Sequence, residues 1–299
     1  MGSTGHARRF ATCAVYRYDL SGPNCKQRQI AETMNTQTVD FQWTRFFTQI
    51  AGQRPRALLL DYDGTLAPFQ VRRDQALVDP KLRDAVESIC RAGRTRVVII
   101  SGRALRDLIP LLDLEPLPEL WGCHGWERLL PDGEYHAPDS SPGVRKALEA
   151  AGQWIASAGL DGRCERKPTS LAVHWRGLDA AASEQLRDRV SAAWAPLAGE
   201  SGIALHDFDG GLEIRATGRD KGYAVAQILR ELPADAIVAY AGDDYTDEDA
   251  FRVLAGRGLS ILVGSSYRAT AADVWLQAPD EWARFLNAWM AAETEGGCS

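Results

Sequence analysis

Apolar residues follow two rhythms along this chain. Short unbroken runs, ALLL (57–60), RVVII (96–100), IVAYAG (237–242) and LSILVG (259–264), alternate with stretches in which apolar residues recur three or four apart. Unbroken runs of this length mark strands buried on both faces, and spacing them with amphipathic helices predicts a parallel α/β sheet. One of those helices is punctuated at both ends. Asp79-Pro80 supplies an N-cap and a first-turn proline, KLRDAVESICRAG carries Leu82, Val86, Ile89 and Cys90 on one face, and Gly93 ends it. Ser101-Gly102 follows RVVII and leads into another helix. The same rhythm returns from Lys221, through helix YAVAQILREL, the IVAYAG strand, helix DEDAFRVLA, the LSILVG strand and a last helix from about Pro279.

The middle of the chain reads differently. ERLLPDGEYHAP predicts a hairpin about Pro131-Asp132-Gly133, followed by a helix over 143–157, strands CERK and LAVHWR, a helix over 179–195, and strands IALHDF and LEIRAT. Here apolar residues alternate with polar ones, the mark of strands with one open face. The expected architecture is α/β: a doubly wound, Rossmann-like parallel-sheet core over 46–104 and 218–292, with a smaller α/β domain inserted over 105–217. Residues 1–45 are polar and aperiodic, with Gly22-Pro23, and predict a weakly ordered extension.

Composition narrows the partners. At 299 residues, 45% hydrophobic and a net charge of -6, the chain has ample core for one large or two moderate domains and no basic excess for nucleic acid. No run of about 18 apolar residues predicts a membrane span, and the first residues lack the apolar centre of a secretory signal. Six cysteines, at 13, 25, 90, 123, 164 and 298, show neither C-x-x-C pairing nor a Cys/His ligand rhythm, and predict reduced thiols in the cytoplasm.

The chemistry gathers where the buried runs end. Asp61 and Asp63 follow ALLL two residues apart, so both face one side just beyond the strand's carboxyl end, where open α/β sheets bind ligands. Two carboxylates against an apolar run repel each other and lose hydration, so a positive partner is expected, and Mg²⁺ suits oxygen ligands of this kind. A turn built on two aspartates is the plainer reading of that pair alone. IVAYAG again ends in acid, at Asp243 and Asp244. Thr246 to Asp249 fits a capping box, which accounts for Glu248 and Asp249 as helix-start residues, whereas Asp244 and Asp247 stay open between metal ligand, neighbour of one, and cap. Ser101 sits where a hydroxyl and free amides can hold a phosphate oxygen, although a serine N-cap explains it equally. Lys221 opens a helix, against the macrodipole, and an anion nearby would resolve that conflict.

The ordered set DYDGT, ISGR, RDKG and GDD resembles the haloacid dehalogenase superfamily of aspartate-nucleophile phosphotransferases, over about 240 residues from Leu58 onward. The resemblance implies that Asp61 attacks phosphorus, that Asp63 protonates the leaving alkoxide and then activates water, and that Ser101 and Lys221 bind the transferring oxygens. It also implies Mg²⁺ held by Asp61, the Asp63 carbonyl and Asp243, with Asp244 or Asp247 as a further ligand. GDDYTDEDAF, GCHGWE, KPTSLAVHWR and EIRATGRDKG are similar to the trehalose-6-phosphate phosphatase family within it. That likeness implies a small sugar phosphate as substrate, bound through an inserted cap by Glu165, Lys167 and Glu213, with Arg103 and His124 as further contacts, and functional pairing with a trehalose-6-phosphate synthase. Phosphatases of sucrose 6-phosphate and mannosyl-3-phosphoglycerate share the architecture, and a sugar-phosphate sensor without turnover is the alternative from another class. His174 reads as a polar-face structural residue, Tyr62 as pointing away from both aspartates, and Trp121, Trp126 and Trp175 as packing.

Overall fold

The computed structural model describes residues 46–295 apart from 53, 69, 71, 199–201 and 209; the extension expected over 1–45 lies outside the described residues. Two sheets organise the chain. The larger has eight strands in the order β12-β11-β10-β1-β2-β3-β4-β5: β1 (Arg56–Leu60), β2 (Thr95–Ile100), β3 (Glu119–Gly122), β4 (Glu127–Leu129), β5 (Tyr135–His136), β10 (Ile237–Gly242), β11 (Leu259–Gly264) and β12 (Val274–Gln277). Its six strands from β12 to β3 are parallel, and β4 and β5 add an antiparallel edge. The smaller is wholly antiparallel, β6-β7-β9-β8, built from β6 (Cys164–Lys167), β7 (Ser170–His174), β8 (Ile203–Phe208) and β9 (Gly211–Ala216).

Helices α1 (Pro80–Ala92), α2 (Leu105–Leu112), α5 (Lys221–Glu231), α6 (Glu248–Leu254) and α7 (Asp280–Glu295) accompany the large sheet; α3 (Pro142–Ser157) and α4 (Ala180–Trp194) accompany the small one. The ends of α1 form as the sequence dictates. Asp79 accepts from the Lys81 amide, and Gly93 closes the helix in the left-handed conformation at φ 65°. Leu82, Ala85, Val86 and Ile89 are buried, and Cys90 lies half-buried at the margin of that face.

Two features of the large sheet were not expected from the sequence. The chain from Leu105 to His136 does not join the small sheet: β3 pairs in parallel with β2, and the predicted hairpin, β4 to β5, extends the large sheet's edge. Edge strands are half-exposed and alternate, so they imitate the open-faced strands of the middle region. The strand VWLQ, β12, was not anticipated; it is short, partly exposed and at the opposite edge.

The small sheet shows how its functional face arises. Leu171, Val173, Leu212, Ile214 and Ala216 point to one side, where Val144, Ala147, Ala151 and Ile155 of α3 and Leu186, Val190 and Trp194 of α4 cover them. Side chains of the intervening residues must therefore point the other way. Register aligns Glu165, Ala172, Glu213 and His206 in one row across all four strands, and Lys167, Ser170, Arg215 and Ala204 in the next.

Candidate active site

Parallel pairing brings the carboxyl ends of β1, β2 and β10 level, since Leu60 lies opposite both Ile99 and Ala241. Asp61 leaves β1 with its amide on the Ala241 carbonyl at 2.9 Å, Ser101 leaves β2 with its amide on Trp121 at 2.8 Å, and Asp243 follows β10. Lys221 enters from above as the first residue of α5. Its Nζ donates to Asp61 Oδ1 at 2.6 Å and to Asp247 Oδ1 at 2.7 Å. Two carboxylates thus already compensate a cation at the wrong end of a helix.

Asp61, Asp243 and Asp247 each present an oxygen within 4.8 Å of the other two. Asp244 does not join them: its carboxylate accepts from the Tyr245 amide at 2.7 Å, while Asp247 Oδ2 accepts from the amides of Asp243 at 3.2 Å and Asp244 at 3.0 Å. The capping box therefore runs from Asp244 to Asp247, not from Thr246 to Asp249. Asp247 also accepts from the Tyr240 hydroxyl. Gly242 makes this arrangement possible, because a Cβ there would lie 2.3 Å from Asp247 Cγ. Glu248, read as a helix-start residue, accepts from Arg268 and from the Ala271 amide as well.

Asp63 turns to Arg103, whose Nε and Nη2 donate to its two oxygens at 2.8 and 2.6 Å, a fork that fixes the carboxylate's plane. Arg103 in turn lies over the ring of Tyr62, 5.4 Å from its centroid, and the Tyr62 hydroxyl donates to Ala76 O at 2.5 Å. Tyr62 points away from the carboxylates, as expected, yet it supports the arginine. Ser101 is not a helix cap. Ala104 holds the N-cap position of α2, and Ser101 Oγ accepts from the Arg103 amide at 3.1 Å.

Burial and crowding set the charge states. Burial pushes the Asp61 carboxyl up to about 7, with Lys221 opposing the rise and Asp247 and Asp63 adding to it. Burial, then Asp61 and Asp247, drive Asp243 well above the ordinary carboxylate range. Burial alone would lower Lys221, but Asp247 and Asp61 hold it above its ordinary value. Three carboxylates meet one ammonium, and Asp243 Oδ1 is buried with no hydrogen-bond partner among the described residues. A hard divalent cation fits an all-oxygen donor set of that charge.

A cavity of about 300 Å³ joins this centre to the open face of the small sheet. Its wall there carries Glu213, which accepts from Lys167 Nζ at 2.8 Å and Ser170 Oγ at 2.7 Å and has Arg215 3.9 Å away. Glu165 lies 3.9 Å from Lys167, and its other oxygen is 3.3 Å from His174 Nε2. His174, read as a structural residue, thus lines the cavity, as do Arg176 and Arg215, which stand in the KPTSLAVHWR and EIRATGRDKG motifs without an assigned role, and His206 and Arg268, which the sequence did not single out. Arg215 could have been found, because alternation puts it on the face of Glu213. His206 depends on strand register, and Arg268 on a loop.

His124 joins the two sheets. Its backbone is left-handed at φ 55°, its ring packs against Gly102 where a Cβ would lie 2.5 Å from Cε1, and its Nε2 is 3.4 Å from Glu213 Oε2. Burial, aided by Arg215, lowers its pKa to about 3 despite Glu213. The unfolded chain therefore takes up this proton first as pH falls. Stability from a neutral His124 is fully present above about 6.5 and is lost progressively towards 3, amounting to about 2 kcal/mol at pH 5. Denaturant titrations at pH 7 and 5 should show that loss in the wild type and a flatter response in His124→Gln; equal slopes would contradict a buried neutral histidine.

A family model described as trehalose-phosphatase matches residues 59–279. The trehalose-phosphate phosphatase of Mycobacterium tuberculosis is 34% identical over 250 residues, covering 78% of this chain; the chain spans only 61% of that relative's length. The C-terminal domain of Candida albicans trehalose-6-phosphate phosphatase shares the fold at a TM-score of 0.69 and 20% identity, over 83% of this chain and 96% of that one. A haloacid dehalogenase-like hydrolase from Bacillus subtilis, 14% identical, shares it at 0.55, over 78% of this chain and 99% of that one.

Proposed function

The chain belongs to the trehalose-phosphatase family, and from that premise we propose that it hydrolyses trehalose 6-phosphate to trehalose and phosphate. The observation that carries the reading is a single cavity with Asp61, Asp63, Lys221 and Asp243 on one side and Lys167, His174 and Glu213 on the other. One side suits a phosphate ester and the other a polyhydroxyl ring. We assign the small sheet with α3 and α4 as the cap, a narrower unit than 105–217.

In the first half-reaction an Asp61 oxygen forms a bond to phosphorus as the ester P–O bond breaks, and Asp63 gives its proton to the departing sugar oxygen. In the second, Asp63 takes a proton from water as the water oxygen attacks phosphorus, releasing phosphate and restoring Asp61. The Arg103 fork fixes the plane of the Asp63 carboxylate and so aims it for both proton transfers. Lys221 and Ser101 hold the transferring oxygens, adding fixed positive potential where charge spreads. Asp61, Asp243 and Asp247 would hold Mg²⁺, with the Asp63 carbonyl as a further ligand; when bound, it supplies the charge that lets carboxylate approach phosphate. Glu165, Lys167 and Glu213 would bind the sugar hydroxyls, and His124 and Arg103 border both regions. The free thiols Cys90, Cys123 and Cys164 support a cytoplasmic setting.

Phosphate release from trehalose, sucrose, glucose and mannosyl-glycerate phosphates, each with Mg²⁺ and with EDTA, tests the reading. The expected result is metal-dependent preference for trehalose 6-phosphate of about a hundredfold in kcat/KM, or ~2.7 kcal/mol. Turnover without that preference would remove the sugar assignment, and no turnover on any ester would favour a sensor.

A further inference from the structure

We infer that Arg268 is a positioning residue for the divalent-cation site, holding the backbone that carries Asp243. The inference rests on the metal-dependent reading above. Arg268 comes from the loop after β11, 25 residues beyond Asp243 in sequence. Its Nε and Nη2 donate to the Asp243 carbonyl at 3.3 and 3.2 Å, Nη2 also to the Asp244 carbonyl at 2.7 Å, and Nη1 to the Ala269 carbonyl at 3.1 Å and to Glu248 Oε1. All three guanidinium nitrogens are engaged. The ring of Tyr245 covers the guanidinium face, 4.7 Å from Cζ to the centroid.

The same dipeptide is held from its other side. Asp247 Oδ2 accepts both the Asp243 and the Asp244 amides, so two side chains account for all four backbone polar groups of Asp243-Asp244. Neither engages the Asp243 carboxylate, whose Oδ1 stays buried and unpartnered. A carboxylate kept free of hydrogen bonds in a low-dielectric site is aimed only by its backbone, and here a planar five-donor fork fixes that backbone. Lysine cannot reproduce the fork, because an ammonium offers three donors from one point and not five in a plane. Glu248 anchors the clasp: it accepts from Arg268 and from the Ala271 amide at 2.7 Å, tying the loop to α6.

The test is the Mg²⁺ dependence of thermal stability in the full chain, read without substrate, alongside Mg²⁺-dependent kinetics. Arg268→Met keeps the aliphatic stem and removes every donor. Its half-saturating Mg²⁺ concentration should rise about tenfold or more, the range for partners that orient a metal ligand. Arg268→Lys should fall between it and wild type, and the shift of the Mg²⁺ midpoint read without substrate should exceed any change in KM for the ester at saturating Mg²⁺, since the guanidinium donors are spent on three backbone carbonyls and Glu248. Glu248→Gln should move the Mg²⁺ midpoint in the same direction by a smaller factor, and it carries the test if Arg268→Met does not fold. Wild-type Mg²⁺ midpoints in Arg268→Met and Arg268→Lys, or a KM change with the midpoint unmoved, would overturn the assignment of Arg268. A wild-type protein that gains no stability from Mg²⁺ would instead overturn the metal reading itself.

Discussion

Asp61→Asn is expected to lower phosphate release from trehalose 6-phosphate by about four orders of magnitude or more, with the chain folded and the ester still bound. The carboxamide matches the carboxylate in volume, so packing at the end of β1 is kept. Lys221 loses one of two partners but retains Asp247 at 2.7 Å, so no buried cation is stranded. Electrostatics favours the variant in the absence of metal. Wild-type Asp61 titrates near 7 when folded against an ordinary 3.8, so its contribution to stability is complete below 3.8 and is lost as pH rises through 7. Asparagine does not titrate, and in EDTA the variant should equal or exceed wild type in stability above pH 7. Denaturation midpoints, calorimetric binding of the ester and single-turnover phosphate release together check this. Residual turnover within tenfold of wild type would remove Asp61 as nucleophile. Full binding by both proteins with turnover by neither would identify a sensor.

What could be read in the sequence divides along a physical line. Asp61, Ser101 and Asp243 were legible because each follows an unbroken apolar run, and parallel strands buried on both faces must end at one edge. Lys221 was legible as a cation in the wrong turn of a helix. The choice between Asp244 and Asp247 was not, because the four residues from Asp244 form a tight turn in which a carboxylate can serve the cap or the cluster, and Gly242 decides it by leaving room for Asp247. Arg268 left no trace, since its partners are mostly carbonyl oxygens, which every residue possesses. In the small sheet, alternation placed Glu165, Lys167 and Glu213 on an open face, but pairing of His206 with Glu213 is a matter of register across a turn. His124 depends on two successive left-handed residues, Cys123 at φ 49° and His124 at 55°, a conformation without a glycine to announce it.

That open face supplies the second large effect. Glu213→Gln should raise KM for trehalose 6-phosphate by roughly a hundredfold while changing kcat/KM for p-nitrophenyl phosphate less than about threefold. Burial works against a charged Glu213, but Lys167, His124 and Arg215 outweigh it and hold its carboxyl well below the usual range. It is therefore an ionised acceptor, fixed by Lys167 and Ser170 through Oε1, with Oε2 facing His124. Charged acceptors bind hydroxyl donors about twice as strongly as neutral ones, and a sugar ring that presents several hydroxyls magnifies the loss when one anchor is neutralised. The glutamine variant is the sharper tool. Alanine would leave Lys167, 5% exposed at its side chain, beside only Glu165 at 3.9 Å, and an uncompensated buried charge costs about 3–5 kcal/mol. Esters that lack the second ring use the carboxylate centre alone, so their turnover reports that centre's integrity. A parallel fall on both substrates would mean that Glu213 acts through His124 on the packing of the two sheets and not on the sugar. A fall confined to the disaccharide phosphate would place substrate discrimination on the row shared by Glu165, Ala172, Glu213 and His206.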